Sequence, residues 1–475
     1  MMRTLFLQAP SFDGYDGGAG ARYQARREIK SFWYPTWLAQ PAALVEGSKL
    51  IDAPAHDLSF EDISHEAKQR DLLVLHTSTP SFQSDIKTAE MMKALNPALK
   101  VGMIGATVAV EADKAMRASE AIDFVARNEF DFTIKDVADD APFASIDGIS
   151  YRNSEGVIVH NKDRNVLMDM DQLPFVTPIY KRDLEMEKYF IGYLKHPYVS
   201  FYTGRGCKSR CTFCLWPQTV GGHNYRVRSV GHVIEEVKYV LKTFPQMKEL
   251  FFDDDTLTDN RPRVEELARE LGKLGVTWSC NAKANVPYDT LKVMRDNGCR
   301  LLLVGYESGN QQILHNIKKG LLIETAKQFA KDCRALGIKI HGTFIVGLPG
   351  ETKDTIQQTI KYAKEVNPHT IQVSLAAPYP GTFLYNQAVE NGWFDGTDHL
   401  VSGGGNQIAQ LSYPHLASDE IFESVAEFYK KFYFRPSKVG AIVGEMITSP
   451  DMMKRRLREG VEFFDFLKNR SAQAS

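Results

Sequence analysis

Three cysteines crowd into the segment GRGCKSRCTFC, which places Cys207, Cys211 and Cys214 in a CxxxCxxC spacing. Thiolates spaced this way reach three corners of a cubane iron–sulfur cluster. No fourth cysteine stands in the loop, so one iron keeps an open position, as a catalytic metal requires. The competing chemistry is a zinc knuckle with His223 as a further ligand, although zinc sites more often pair CxxC units. Cys280, Cys299 and Cys333 are scattered through apolar segments and read as buried structural thiols.

Such a loop needs a scaffold, and the chain of 475 residues is long enough for two or three domains. Its 43% apolar and 24% charged residues are ordinary for a globular protein, and a net charge of -2 excludes a strongly basic nucleic-acid surface. Apolar runs at Arg3–Gln8, Asp71–His76 and Val101–Gly105 alternate with helical patterns, predicting a doubly wound α/β sheet over residues 1–140. Residues 141–195 read as a hairpin and linker punctuated by proline. Over residues 196–395, strands are expected at Tyr198–Thr203, Glu249–Asp253, Thr277–Asn281, Leu301–Tyr306, Ile338–Val346 and Thr370–Ala376. Six strands with intervening helices imply a partial (β/α)6 barrel with function at the strands' carboxyl ends. Residues 396–475 read as helical. Phe428 and Phe432 share a face there that either packs across the open barrel or, with nearby Lys and Arg, lies on a bilayer.

The cysteine loop, with aromatic Phe213 before the third cysteine and at the end of a first barrel strand, resembles the radical S-adenosylmethionine superfamily. The resemblance implies a 4Fe-4S cluster whose open iron is chelated by S-adenosylmethionine, and a 5′-deoxyadenosyl radical that abstracts hydrogen. Three more segments match the family in order. FFDDDTLT makes Asp254 and Asp255 the candidates to accept hydrogen bonds from the methionyl ammonium. YESG places Glu307 at the ribose hydroxyls with Ser308 assisting, and GTFIVGLPGE places Ile345 on the adenine with Gly347 in the adjoining turn. The N-terminal sheet is similar to that of the cobalamin-binding branch, which makes cobalamin a candidate cofactor. The DxHxxG cobalt-ligand motif does not occur, and GGxHxT appears only as Gly105-Ala106-Thr107-Val108. VARNEFD, from Val125 to Asp131, resembles the branch's VRGExE.

More narrowly, the stretch from Pro10 through Asp57 resembles hopanoid-biosynthesis radical enzymes. That resemblance implies a hopanoid lipid substrate, namely the glucosamine ring of a bacteriohopanetetrol glycoside contracted to a cyclitol ether. It also implies a reductant such as flavodoxin or ferredoxin, and a peripheral contact with the inner membrane. The alternatives are a cobalamin-dependent radical methyltransferase and a metal-stabilised binding protein without catalysis. No apolar run is long enough to span a bilayer, and the Met1–Pro10 strand lacks the layout of a signal peptide, so the expected location is the cytoplasm.

Overall fold

The structure is a computed structural model that describes residues 1–12, 29–394, 407–447 and 450–473. The Gly- and Asp-rich loop Asp13–Gly20, and most of the Pro10–Arg27 stretch, lie outside the described residues.

The N-terminal sheet has seven strands: β1 (Thr4–Gln8), β2 (Lys49–Asp52), β3 (Leu72–His76), β4 (Lys100–Ile104), β5 (Phe124–Ala126), β6 (Ile149–Arg152) and β7 (Ile158–His160). They run in the order β2-β1-β3-β4-β5-β6-β7. The first five are parallel and follow the flavodoxin-like winding. Continuous apolar runs such as LLVLH suit strands covered on both faces, and β1 and β3 are buried throughout. The hairpin expected in the linker instead pairs antiparallel onto β5 and completes this sheet.

The second sheet holds six parallel strands: β8 (Tyr198–Phe201), β11 (Glu249–Phe252), β12 (Trp278–Ala282), β13 (Cys299–Glu307), β14 (Lys339–Val346) and β15 (Thr370–Leu375). Each lies within two residues of its sequence-derived bounds. They stand in simple order from β8 to β15, an open half-barrel. The small pair β9 (Gly204–Arg205) and β10 (Arg226–Val227) closes the loop that carries all three cysteines.

The helix Ser418–Tyr433 decides between the two readings of the tail. Phe428 and Phe432 are fully buried. The hydroxyls of Tyr429 and Tyr433 accept hydrogen bonds from the backbone N–H groups of Val373 and Ile371 on edge strand β15. This face therefore covers the open edge of the barrel, where unpaired strand groups would otherwise invite another chain, and it is not presented to a bilayer.

The two sheets are joined by buried ion pairs. Arg226 donates to both carboxylate oxygens of Glu129 at 2.7 and 2.8 Å, and Arg205 pairs with Asp131. The VARNEFD segment thus clamps the N-terminal sheet to the strands flanking the cysteine loop.

Candidate active site

The cysteine loop is held by its own backbone and neighbours. Gln218 donates to the carbonyls of Cys211, Thr212 and Cys214, the last at 2.7 Å. His223 Nδ1 bonds the carbonyls of Cys207 and Ser209 at 3.2 and 2.9 Å, so His223 acts as a brace for the loop. Burial raises the thiols of Cys211 and Cys214, and a bound metal reverses that preference by taking the thiolate. Tetrahedral thiolates on a single zinc ion would lie about 4 Å apart. Among the described residues no such tight group of three His, Cys, Asp or Glu side chains occurs. The three cysteines line one cavity of about 340 Å³.

The same cavity is lined by Phe213, Asp253, Asp255, Asn281, Lys283, Glu307, Lys319 and Ile345. Glu307 ends β13 in the left-handed region, at φ 61°, beside a register shift against β14. A non-glycine residue held there is strained, and the strain turns its carboxylate into the barrel mouth. Its partner is Lys319 Nζ at 2.6 Å. Burial disfavours the Lys319 charge, but Glu307 and the thiol of Cys211 raise its pKa on balance. Gly305 lies directly beneath: a Cβ there would fall 2.2 Å from Glu307 Oε1 and 2.8 Å from Lys319 Nζ.

Three of the expected residues are placed elsewhere. Asp254 is wholly buried and accepts from the Thr203 N–H, the Thr203 hydroxyl and the Tyr225 hydroxyl at 2.6–2.7 Å. Successive residues of an extended chain alternate faces, so Asp253 and Asp255 face the cavity while Asp254 ties β8 to β11. Ser308 is also fully buried, its hydroxyl 3.2 Å from that of Thr359. Gly347 lies outside the cavity at φ 84°, with its N–H given to Glu351 at 2.7 Å and Ile421 filling the space of a side chain. Asp253, Lys283 and Lys319 were not singled out from sequence. Asp253 could have been, since it begins the same acidic run.

The N-terminal sheet and the barrel meet through the loops at the carboxyl ends of their strands. The helix Ala106–Val110, which carries the GGxHxT counterpart, packs on the helix Leu215–Thr219 just after the cysteines. The Trp37 ring stacks on Trp216 at 4.5 Å with an interplanar angle of 2°. A space of about 10 Å³ remains beside them, bordered by Tyr202 and Arg205. His56 is engaged with the Asp52 carbonyl and the Glu185 N–H.

A parallel half-barrel with three cysteines, acidic residues and a strained glutamate around its mouth defines a class of enzyme that binds a cluster and a nucleoside-bearing cofactor. The model of the Radical SAM superfamily matches residues 201–363. The chain is 31% identical to a protein of Pyrococcus horikoshii described as an uncharacterized methyltransferase, over 86% of this chain and 90% of that one. The chain therefore belongs to the radical S-adenosylmethionine superfamily, and its cofactors are a 4Fe-4S cluster and S-adenosylmethionine. Its fold is shared with the radical S-adenosylmethionine methyltransferase TsrM from Kitasatospora setae, at TM-score 0.68 and 14% identity over 92% of this chain and 90% of that one. It is also shared with OxsB, described as a cobalamin-dependent S-adenosylmethionine radical enzyme, at TM-score 0.70 and 14% identity over 98% of this chain and 72% of that one.

Proposed function

We propose that Cys207, Cys211 and Cys214 hold the cluster and that S-adenosylmethionine lies across the carboxyl ends of β11 to β14. The observation that carries this reading is the meeting of three thiols, Asp255 and the Glu307–Lys319 pair in one cavity. Asp255 and Asp253 accept from the methionyl ammonium, Glu307 accepts from the ribose hydroxyls, and Phe213 and Ile345 flank the nucleoside. Bound there, the two cofactors supply a 5′-deoxyadenosyl radical that takes a hydrogen atom from substrate. A flavodoxin or ferredoxin supplies the electron.

Two finer reactions have support. The Pyrococcus relative, described as a methyltransferase, and the fold shared with TsrM and OxsB best support the first, cobalamin-dependent methyl transfer. The second reading is a rearrangement, supported by the sequence resemblance alone. The resemblance of Pro10–Asp57 to hopanoid enzymes makes that rearrangement the contraction of a glucosaminyl ring on bacteriohopanetetrol. A lipid substrate asks for a surface that can approach a bilayer. Val439, Val443, Ile447, Leu457, Val461 and Phe464, exposed along the last two helices, support such a peripheral contact. No described helix is long and apolar enough to cross a membrane.

The test is anaerobic incubation of reconstituted protein with S-adenosylmethionine, reductant and a glucosaminyl hopanoid. Deoxyadenosine with S-adenosylhomocysteine and a methylated product supports methyl transfer. Deoxyadenosine alone with a five-membered aminocyclitol supports ring contraction. A protein that cleaves no S-adenosylmethionine under reduction would sink both readings.

A further inference from the structure

The cavity continues below the cofactor-facing residues, and its floor is polar. Along β14 and β15 alternate residues face inward, and the register sets His341 against Thr370, Thr343 against Gln372 and Ile345 against Ser374. His341, Thr343, Gln372 and Ser374 all line the cavity. His341 is four residues before Ile345, about 13 Å deeper along the strand.

His341 is only 5% exposed. Its Nδ1 is 2.7 Å from Thr370 Oγ1. The Tyr193 ring covers it at 4.1 Å. Its Nε2 is buried with no hydrogen-bond partner among the described residues. Burial lowers the imidazole pKa to about 3, with Gln372 offsetting a little of that, so the ring is neutral. An unpartnered buried polar atom carries a cost unless something satisfies it. Thr370 can either donate to Nδ1 or accept from it. Nε2 is therefore a donor in one tautomer and an acceptor in the other. A hydroxyl group, which both donates and accepts, satisfies either.

We propose that His341, with Thr343 and Gln372, forms a hydroxyl-binding subsite on the barrel floor that takes a sugar- or polyol-like part of the substrate. The subsite rests on the reading that this cavity holds both cofactor and substrate. It makes His341 a specificity-determining residue, set apart from the cluster and the cofactor.

The test uses the full-length, cluster-reconstituted protein and saturation-transfer NMR with two probes, methyl β-D-glucopyranoside and its deoxygenated counterpart 2-methoxytetrahydropyran. Wild type binds the glucoside more tightly than the tetrahydropyran. His341→Phe weakens the glucoside about tenfold and leaves the tetrahydropyran unchanged, and His341→Asn recovers part of the loss. Cluster absorbance and melting midpoint serve as folding controls. If His341→Phe does not fold, Thr343→Val, which keeps the shape and removes the hydroxyl, produces the same selective loss. Equal glucoside affinity in wild type and folded variant overturns the subsite, as does equal wild-type binding of the two probes, because water then satisfies Nε2. Should the cluster fail to assemble while glucoside binding still depends on His341, the cofactor assignment falls and the subsite stands.

Discussion

Replacing Gly305 with alanine separates the site from the fold. The new Cβ would sit 2.2 Å from Glu307 Oε1, whereas ordinary contact begins at 3.4 Å. To reach ordinary contact the carboxylate must move by 1.2 Å, the difference of those two distances. Oε1 is the atom that meets Lys319 Nζ at 2.6 Å, and a shift of that size stretches the contact to about 3.8 Å, beyond hydrogen-bonding range. Both crowded atoms end flexible side chains, and the φ of Gly305 is one that L residues adopt, so the backbone tolerates the change. The same displacement takes the carboxylate away from a ligand hydroxyl, a loss of one charge-assisted hydrogen bond, about 1.5–3 kcal/mol. If Glu307 holds the ribose, affinity for S-adenosylmethionine falls by roughly 10- to 100-fold. The assay is calorimetric titration of reconstituted Gly305→Ala under anaerobic conditions, with the melting midpoint as control. Wild-type affinity in a folded variant would refute the placement of Glu307 at the cofactor.

Further outcomes follow from other parts of the molecule. Cys211→Ala abolishes the cluster's visible charge-transfer absorption while far-ultraviolet circular dichroism stays unchanged; an intact chromophore rejects the ligand set. Arg226→Met takes two charge-assisted hydrogen bonds from the buried Glu129 carboxylate, which keeps only the Leu167 N–H and Arg205 at 3.7 Å, and costs about 1.5–3 kcal/mol in chemical denaturation; adding Glu129→Leu restores part of it. Burial raises the Glu351 carboxyl from 4.5 to about 8. The folded state then holds a proton that the unfolded state has lost, so stability falls as pH rises between those values, by up to about 1.4 kcal/mol per unit. Glu351→Gln flattens that slope in denaturation curves recorded from pH 4.5 to 8; an unchanged slope rejects the assignment. If the reaction is cobalamin-dependent methyl transfer, wild-type protein retains hydroxocobalamin on gel filtration with the spectrum of a bound corrin; a protein that retains none rejects that reading.

What sequence and structure each contributed divides along physical lines. The six barrel strands and the cysteine loop were legible because their signals are local. A buried parallel strand is a continuous apolar run, and CxxxCxxC needs only eight adjacent positions. The hairpin at 149–160 was recognised as a hairpin, but its membership of the N-terminal sheet depends on an edge at β5 that is distant in the chain. Asp253, Asp254 and Asp255 are chemically identical neighbours, so only the facing of β11 separates the two that reach the cavity from the one that braces Thr203 and Tyr225. The polar floor was illegible because His341 and Gln372 become neighbours through strand register across an intervening helix.

The spacing of Cys207, Cys211 and Cys214, a covalent property of the chain, by itself pointed to an iron–sulfur site, and the motifs that follow in order made it a radical S-adenosylmethionine one. Only the tertiary structure decided which carboxylates share their cavity, what the aromatic tail covers, and how closely the N-terminal sheet approaches the barrel. Those outcomes depend on burial and register between segments far apart in sequence, where each contact is fixed by the packing of all the others.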